Sequence, residues 1–347
     1  MAELSEFLDT TDLERSLLIG FYGGGNYGDE LLLEVLLNMF KLRNVQKVEI
    51  AHQEPAVYGQ YHADFQYPLV NMRSGTELIK SILRSKQIIV GGGGLWGRDV
   101  NFNIFLFSFM LWFSRHILRK RIYLLGVGYY NSTSKLGRVS AWFAGKAANH
   151  IVARDDETVA NFGRLTSHVV IDDDIALSMA ALDLDRYQDD AKDLEAEFKL
   201  QKHNVFVTIR RLKADFTDRI ETLIGNNPDK NFIVMLLEPR QVDSEGYGRI
   251  RQITEKYPNV TTHDFDFNPI LLYVLFMRNA SKLCLMGPQF HIIITAYIAG
   301  VPYLPVVYDN KVQELLRRFE VAEPLDIYNL KDADLQSFVD AHYSKGA

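Results

Sequence analysis

Three kinds of residue in this 347-residue chain have the chemistry to hold an anionic or polar small molecule: glycines that follow short apolar runs, arginines and lysines at the ends of such runs, and a histidine that opens a helical pattern. The first group starts at Leu17-Leu-Ile-Gly-Phe-Tyr-Gly-Gly-Gly-Asn-Tyr-Gly-Asp-Glu-Leu-Leu-Leu33, which reads as a strand, a glycine turn and an amphipathic helix. Gly23, Gly25 and Gly28 satisfy the spacing of a dinucleotide fingerprint. Asp29 and Glu30 argue against that reading, because carboxylates at a helix N-terminus suit the helix dipole but repel a pyrophosphate. The segment is therefore either a tight turn with an acidic cap or a substrate site. In the second case Asn26, Asp29 or Glu30 engages a polar substrate, such as sugar hydroxyls, with Gly24 and Gly25 beside them.

A second cluster, Gly91-Gly-Gly-Gly-Leu-Trp-Gly97, follows the run Gln87-Ile-Ile-Val90. Without side chains, Gly92, Gly93 and Gly94 let a ligand approach the backbone and leave N–H groups to bind an anion. A third turn, Gly126-Val-Gly128, follows Ile122 to Leu125, and all three turns are expected on one edge of the sheet. Arg154 comes directly after the strand His150 to Ala153, where it either bridges loops or meets the ligand, while Asp155 is placed to cap the next helix.

Further on, Arg210 and Arg211 end the run Val205 to Ile209, and a guanidinium there suits a bidentate grip on carboxylate or phosphate. A structural salt bridge is the alternative. Gln289-Phe-His291 opens a helical pattern after the strand that ends at Leu285, and Lys311 adds a cation after the next one. His291 is expected in the first helical turn, where the helix dipole favours a neutral imidazole. The single cysteine, Cys284, sits in an apolar run and reads as core packing rather than as a nucleophile.

The elements that must position these residues are short apolar runs alternating with helical patterns, the signature of parallel βαβ units. Strands are expected at Ser16 to Phe21, Val45 to Ala51, Gln87 to Val90, Arg121 to Leu125, His150 to Ala153 and His168 to Ile171. A second series runs Asn204 to Ile209, Asn231 to Leu237, Val260 to Thr262, Lys282 to Leu285 and Tyr303 to Pro305. The fold class is α/β, with two Rossmann-like domains facing a cleft. They span residues 1–185 and 204–347, the second with a C-terminal helix, and the highly charged stretch 186–203 is a linker between them.

A net charge of -6 and a pI near 5.9 exclude a protein built mainly to bind nucleic acid. One cysteine fits a reducing compartment, and the acidic N-terminus lacks a secretion signal, so a cytoplasmic protein is expected. The apolar run Phe102 to Phe113 is too short to span a bilayer, which takes roughly twenty residues. It reads first as a buried core helix. With Arg115, Arg119, Lys120 and Arg121 behind it, the second reading is a helix resting on the cytoplasmic face of an anionic membrane.

Taken in order, these motifs resemble those of the polysaccharide pyruvyl transferase family. The turn G-x-x-N-x-G-D-E is present as Gly23, Asn26, Gly28, Asp29 and Glu30. The likeness continues through Gly92 to Gly94, Gly126 to Gly128, Arg154 with Asp155, Arg210, and the Gly300-Val-Pro302 segment followed by Tyr308, Asp309 and Lys311. It covers roughly residues 16 to 320.

The resemblance implies a GT-B-like architecture and transfer of the enolpyruvyl carbons of phosphoenolpyruvate to two hydroxyls of a sugar or lipid-linked oligosaccharide, with no cofactor and no metal. It implies the acceptor side in the first domain and the donor site in the second. It casts Arg210 and Lys311 as donor-binding cations, His291 in proton transfer, and Asp29 or Glu30 at the acceptor hydroxyls. One position departs from the pattern: the family has Arg-x-His where this chain has Gln289, an uncharged donor of a hydrogen bond. A nucleotide-sugar glycosyltransferase and a non-catalytic sugar-binding homologue are the competing readings.

Overall fold

The computed structural model describes residues 2–96, 100–130, 134–209, 215–238, 244–307, 310–321 and 325–343. These fall into two compact units, one of Met1–Gly24 and Asp29–Leu182, the other of Gly25–Gly28 and Asp183–Ala347.

In the first unit α1 (Ala2–Thr10) precedes β1 (Ser16–Ile19), α2 (Tyr27–Leu42), β2 (Val48–His52), α3 (Tyr58–His62), β3 (Leu69–Asn71) and α4 (Gly75–Arg84). Then come β4 (Gln87–Trp96), α5 (Phe102–His116), β5 (Arg121–Tyr129), α6 (Lys135–Ala147), β6 (His150–Ala153), α7 (Asp156–Gly163) and β7 (Val169–Ile171). The seven strands are all parallel, in the order β3-β2-β1-β4-β5-β6-β7. Parallel strands need helical crossovers that cover both faces of the sheet, so β1, β4 and β5 are almost continuously apolar. Leu17, Ile19, Val90 and Leu124 pack against Leu111 of α5 and Ala144 of α6 in one core.

The second unit runs α8 (Gln188–Glu197), β8 (Asn204–Thr208), α9 (Asp215–Asn226), β9 (Asn231–Leu236), α10 (Ser244–Lys256), β10 (Val260–Asp264) and α11 (Pro269–Asn279). It ends with β11 (Leu283–Gly287), α12 (Phe290–Ala299), β12 (Tyr303–Val307), α13 (Asn310–Arg318), β13 (Leu325–Asp326) and α14 (Asp332–Tyr343). Its sheet has the order β10-β9-β8-β11-β12-β13, again parallel throughout. Cys284 lies at the centre of its core, where burial pushes the thiol up to about 12, out of the range of a nucleophile at neutral pH.

The second sheet follows the doubly wound order 3-2-1-4-5-6 and the first extends it by a seventh strand, and the two α/β units are the Rossmann-like halves expected of a GT-B-like chain. Four details differ from the sequence reading. The short strands β3 and β13 carry too few residues to show a period. Residues 188–197, read as part of a linker, form α8, whose Glu195 pairs with Arg278 of α11 at 2.5 Å.

The Gly91 and Gly126 clusters are not loops after their strands. Instead β4 and β5 stay paired through them, at Gly91 with Leu125, Gly93 with Val127 and Trp96 with Tyr129, across a register shift. Gly92 and Gly93 sit at φ +73° and +93°, left-handed backbone that only glycine adopts at little cost, so the ladder bulges without breaking.

Finally, α5 is not a buried core helix. It packs on the sheet through one side and exposes phenylalanines on the other.

Candidate functional site

In a doubly wound sheet, ligands bind outside the carboxyl ends of the strands, where the strand order reverses. In the first unit that point lies between β1 and β4, whose ends carry the Gly20–Gly24 turn and the Gly91–Gly94 bulge. The buried Tyr22 hydroxyl donates to the Gly91 carbonyl and ties the two together.

Glu30, in the first turn of α2, is fully buried. Its Oε1 accepts the Gly23 N–H at 2.8 Å and its Oε2 lies 3.1 Å from His62 Nε2. His62 Nδ1 is in turn 2.6 Å from Glu34 Oε2, with all three side chains inaccessible to solvent. Burial pulls the His62 pKa down, but hydrogen bonds and charge from the two carboxylates outweigh it and leave it raised. An imidazolium donating to both carboxylates satisfies every partner in this arrangement. Glu30 thus holds the glycine turn to α2, a different position from one that meets sugar hydroxyls.

Asp29 is half-buried and belongs to the same rim, its Oδ1 3.8 Å from where a Cβ on Gly93 would lie. Beyond Gly93, the exposed Gly94 comes close to Arg154 and Tyr130. Of the two readings of Arg154, the geometry favours the bridge between loops. Its guanidinium is 4% exposed, donates to Asp174 Oδ2 at 3.0 Å, and gives two further bonds to the Tyr130 hydroxyl at 2.7 and 3.1 Å. The Tyr130 hydroxyl donates to Asp155 Oδ2 at 3.1 Å, while Asp155 Oδ1 caps α7 as expected. Next to this rim, a mostly apolar cavity of about 180 Å³ opens among Ile19, Phe21, Leu95, Ile104 and Phe107, with Asn101 and Asn103 as its polar wall.

In the second unit the strand order reverses between β8 and β11. Gln289 is the N-cap residue of α12 and makes no side-chain cap hydrogen bond. Its Nε2 donates instead to the Ile209 carbonyl at 2.7 Å, fastening the start of α12 to the chain just past β8. Gln289 Oε1 and Thr208 Oγ1 are buried without a hydrogen-bond partner among the described residues, at the ends of neighbouring strands. Buried polar atoms of that kind need an explanation, and a bound ligand or ordered water supplies one.

His291 is half-buried in the first turn of α12. Gly28 approaches its ring so closely that a Cβ there would collide with Nδ1. The same turn is fixed by Asn26 Oδ1 accepting the Gly28 N–H at 3.0 Å, by Tyr27 N–H donating to Leu237 O at 2.9 Å, and by the Tyr27 and Thr295 hydroxyls 2.8 Å apart. Gly25 and Asn26 are half-buried beside it. In the first unit, Gly24 is half-buried. Lys311 is half-buried in the first turn of α13. Arg210, Arg211, Tyr308 and Asp309 lie outside the described residues.

Gly28→Ala is expected to displace the imidazole, lowering stability by about 1–3 kcal/mol and turnover with it. Denaturant titration and steady-state assay check this, and a fully active variant would show that the contact does not hold the ring.

Sequence reasoning passed over His62, Glu34, Tyr130, Asp174 and Thr208. A signal existed for the first two: Glu30, Glu34 and Asn38 recur at four-residue spacing along an otherwise apolar helix, and buried carboxylates require a cation.

A family model for polysaccharide pyruvyl transferase matches residues 26–310. No curated protein matches the chain significantly. Among solved structures, UDP-GlcNAc 2-epimerase from Neisseria meningitidis bound to UDP-GlcNAc is 14% identical, with 95% of this chain and 92% of that one covered and a TM-score of 0.61. The UDP-GlcNAc 2-epimerase from Methanocaldococcus jannaschii is 10% identical over 95% and 92%, with a TM-score of 0.62. HepE from Anabaena in complex with UDP-glucose is 12% identical over 95% and 90%, with a TM-score of 0.60. At these identities the likeness is one of fold.

Proposed function

The chain belongs to the polysaccharide pyruvyl transferase family, and on that premise we propose that it forms a pyruvate ketal on a sugar of a cell-surface polysaccharide or exopolysaccharide precursor, with phosphoenolpyruvate as donor. In this reaction the donor methylene gains a proton and becomes a methyl group, while two sugar oxygens bond to the central carbon. The C–O bond to phosphate breaks. Of the two hydroxyl protons released, one balances the new methyl and the other leaves on phosphate.

The observation that carries the donor assignment is the start of α12: a helix N-terminus without a side-chain cap, at the strand-order reversal, with His291 in its first turn. Backbone N–H groups there suit a carboxylate or phosphate, and the imidazole takes up one of the released hydroxyl protons and delivers it to the methylene carbon. Arg210 and Lys311 are the cations assigned to the donor. Gln289, bonded to Ile209 O, keeps the start of α12 in place rather than adding charge.

On the acceptor side, Asp29 is the base for an incoming hydroxyl, with the Gly92–Gly94 backbone beside it, while Glu30 and Arg154 hold the rim. The apolar lining of the neighbouring cavity favours an acceptor that carries a lipid. The alternative donor is a nucleotide sugar, since two of the structural neighbours hold UDP-GlcNAc or UDP-glucose.

Thermal-shift titration decides between them, because a ligand that binds only the folded state raises the melting temperature. Phosphoenolpyruvate at about a hundred times its Kd is expected to add roughly 2.7 kcal/mol, and uridine diphosphate nothing. The reverse result would replace pyruvyl transfer with glycosyl transfer.

A further inference from the structure

Helix α5 is apolar on two sides, with Ile104, Phe107, Met110 and Trp112 packed against the core. Toward the protein it buries Ser108, Leu111 and Ser114, with Ser108 hydrogen-bonded to Trp96 Nε1 at 2.9 Å and to Ser140 of α6 at 2.8 Å. Toward solvent it shows Phe102, Leu106, Phe109, Phe113 and Ile117, each 40 to 62% exposed. Their spacing of four, three, four and four residues places them on one stripe along the helix and its C-terminal continuation.

The stripe continues onto α6. Phe143 meets Phe109 edge-on at 5.4 Å and Trp142 at 5.3 Å, and Trp142 and Val139 are themselves exposed. A solvated helix has no reason to turn phenylalanines outward while burying serines, so this face is made for an apolar partner.

Charge says which partner. From residue 100 to 153 the sequence contains seven Lys and Arg and no Asp or Glu, in a chain whose net charge is -6. Arg115 lies in the last turn of α5, Arg119 and Arg121 follow the end of the stripe, and Lys135 and Arg138 accompany α6, while Lys120 and Lys146 donate to the backbone carbonyls of Leu83, Ser85 and Leu165. A second copy of this chain would bring the same positive field against itself, whereas an anionic bilayer complements it. No helix among the described residues is long and apolar enough to cross a membrane.

We propose that the α5–α6 face docks the protein on an anionic lipid surface, with the aromatic stripe at the depth of the headgroups and the cations among the lipid phosphates. Trp142 suits that interface because its ring is apolar while its N–H stays wet, and the phenylalanines add apolar area to bury. The first turns of α5 also wall the apolar cavity described above, so docking would bring the cavity near the bilayer. This inference does not depend on the identity of the donor.

The test is flotation of the purified protein with vesicles of phosphatidylglycerol and phosphatidylcholine in equal parts, beside vesicles of phosphatidylcholine alone. The protein is expected to float with the anionic vesicles only, and less so as salt is raised. Replacing Phe113 and Ile117 by Ser should cut the partition by about tenfold or more, with the melting temperature measured beside it, since these side chains are 40% and 57% exposed. Replacing Arg115 and Arg119 by Gln, which leaves the apolar face intact, should cost about 30-fold. No flotation, flotation unchanged in both variants, or a stable homodimer that the serine variant converts to monomer would overturn the proposal.

Discussion

His291→Asn is expected to fold normally and to lose about 10²- to 10⁴-fold in turnover, with phosphate release from phosphoenolpyruvate as the assay and the melting temperature as the control. Asparagine keeps a polar side chain of similar reach against Gly28 but cannot exchange a proton near neutral pH. His291→Ala should be at least as inactive, with an added loss of packing against the glycine turn. The effect belongs in kcat rather than KM, because a proton moved to the methylene carbon matters only as the transition state forms. Undiminished turnover in a folded His291→Asn variant would remove the imidazole from the mechanism and leave the uncapped start of α12 as a binding element alone.

His62→Ala should produce the largest loss of stability, about 3–5 kcal/mol, because it leaves Glu30 and Glu34 buried together with no cation between them. His62→Gln, which can donate one hydrogen bond, should fall between the variant and the native chain. The effect also has a pH signature. The folded-state pKa of His62 is raised above its usual value, so the ion triad contributes fully below about 6.5 and loses its contribution as pH rises through the higher folded-state value. Melting temperature is therefore expected to decline across that window in the native protein, and this part of the decline should vanish in His62→Ala. Equal pH profiles for the two proteins would mean that His62 is not the group that titrates.

Much of the candidate site was legible before the structure. Asp29, Gly93 and His291 were singled out by residue type and by position after apolar runs, and the structure sets Asp29 over Gly93 and Gly28 against His291. The reading went astray where a residue's type was right and its direction was not. Glu30 and Asp29 are adjacent in sequence, yet a helix turns successive residues by about 100°, so one carboxylate faces the core and the other the rim. Arg154 likewise carries a charge that suits a ligand, and only Asp174 and Tyr130, both close to it in space, show that its donors are already used within the protein.

The same limit explains α5. Its run of Phe, Leu, Ile, Met and Trp is apolar on nearly all sides, so its hydrophobic period does not say which face is inside. The serines at 108 and 114 were the clue, and their burial became meaningful once Trp96 and Ser140 were found opposite Ser108.

By itself the sequence determined the α/β class, the place of most strands and the end of each strand at which polar and glycine residues gather. Those properties depend on local period and on short-range backbone preferences, which are written in consecutive residues. Only the tertiary structure decided that β1 lies beside β4 and β8 beside β11, that Glu30 turns inward to His62, and that Phe102, Phe109 and Phe113 of α5 face out. Strand order and side-chain direction are set by packing between residues far apart in the chain, and that information appears only when the chain is folded.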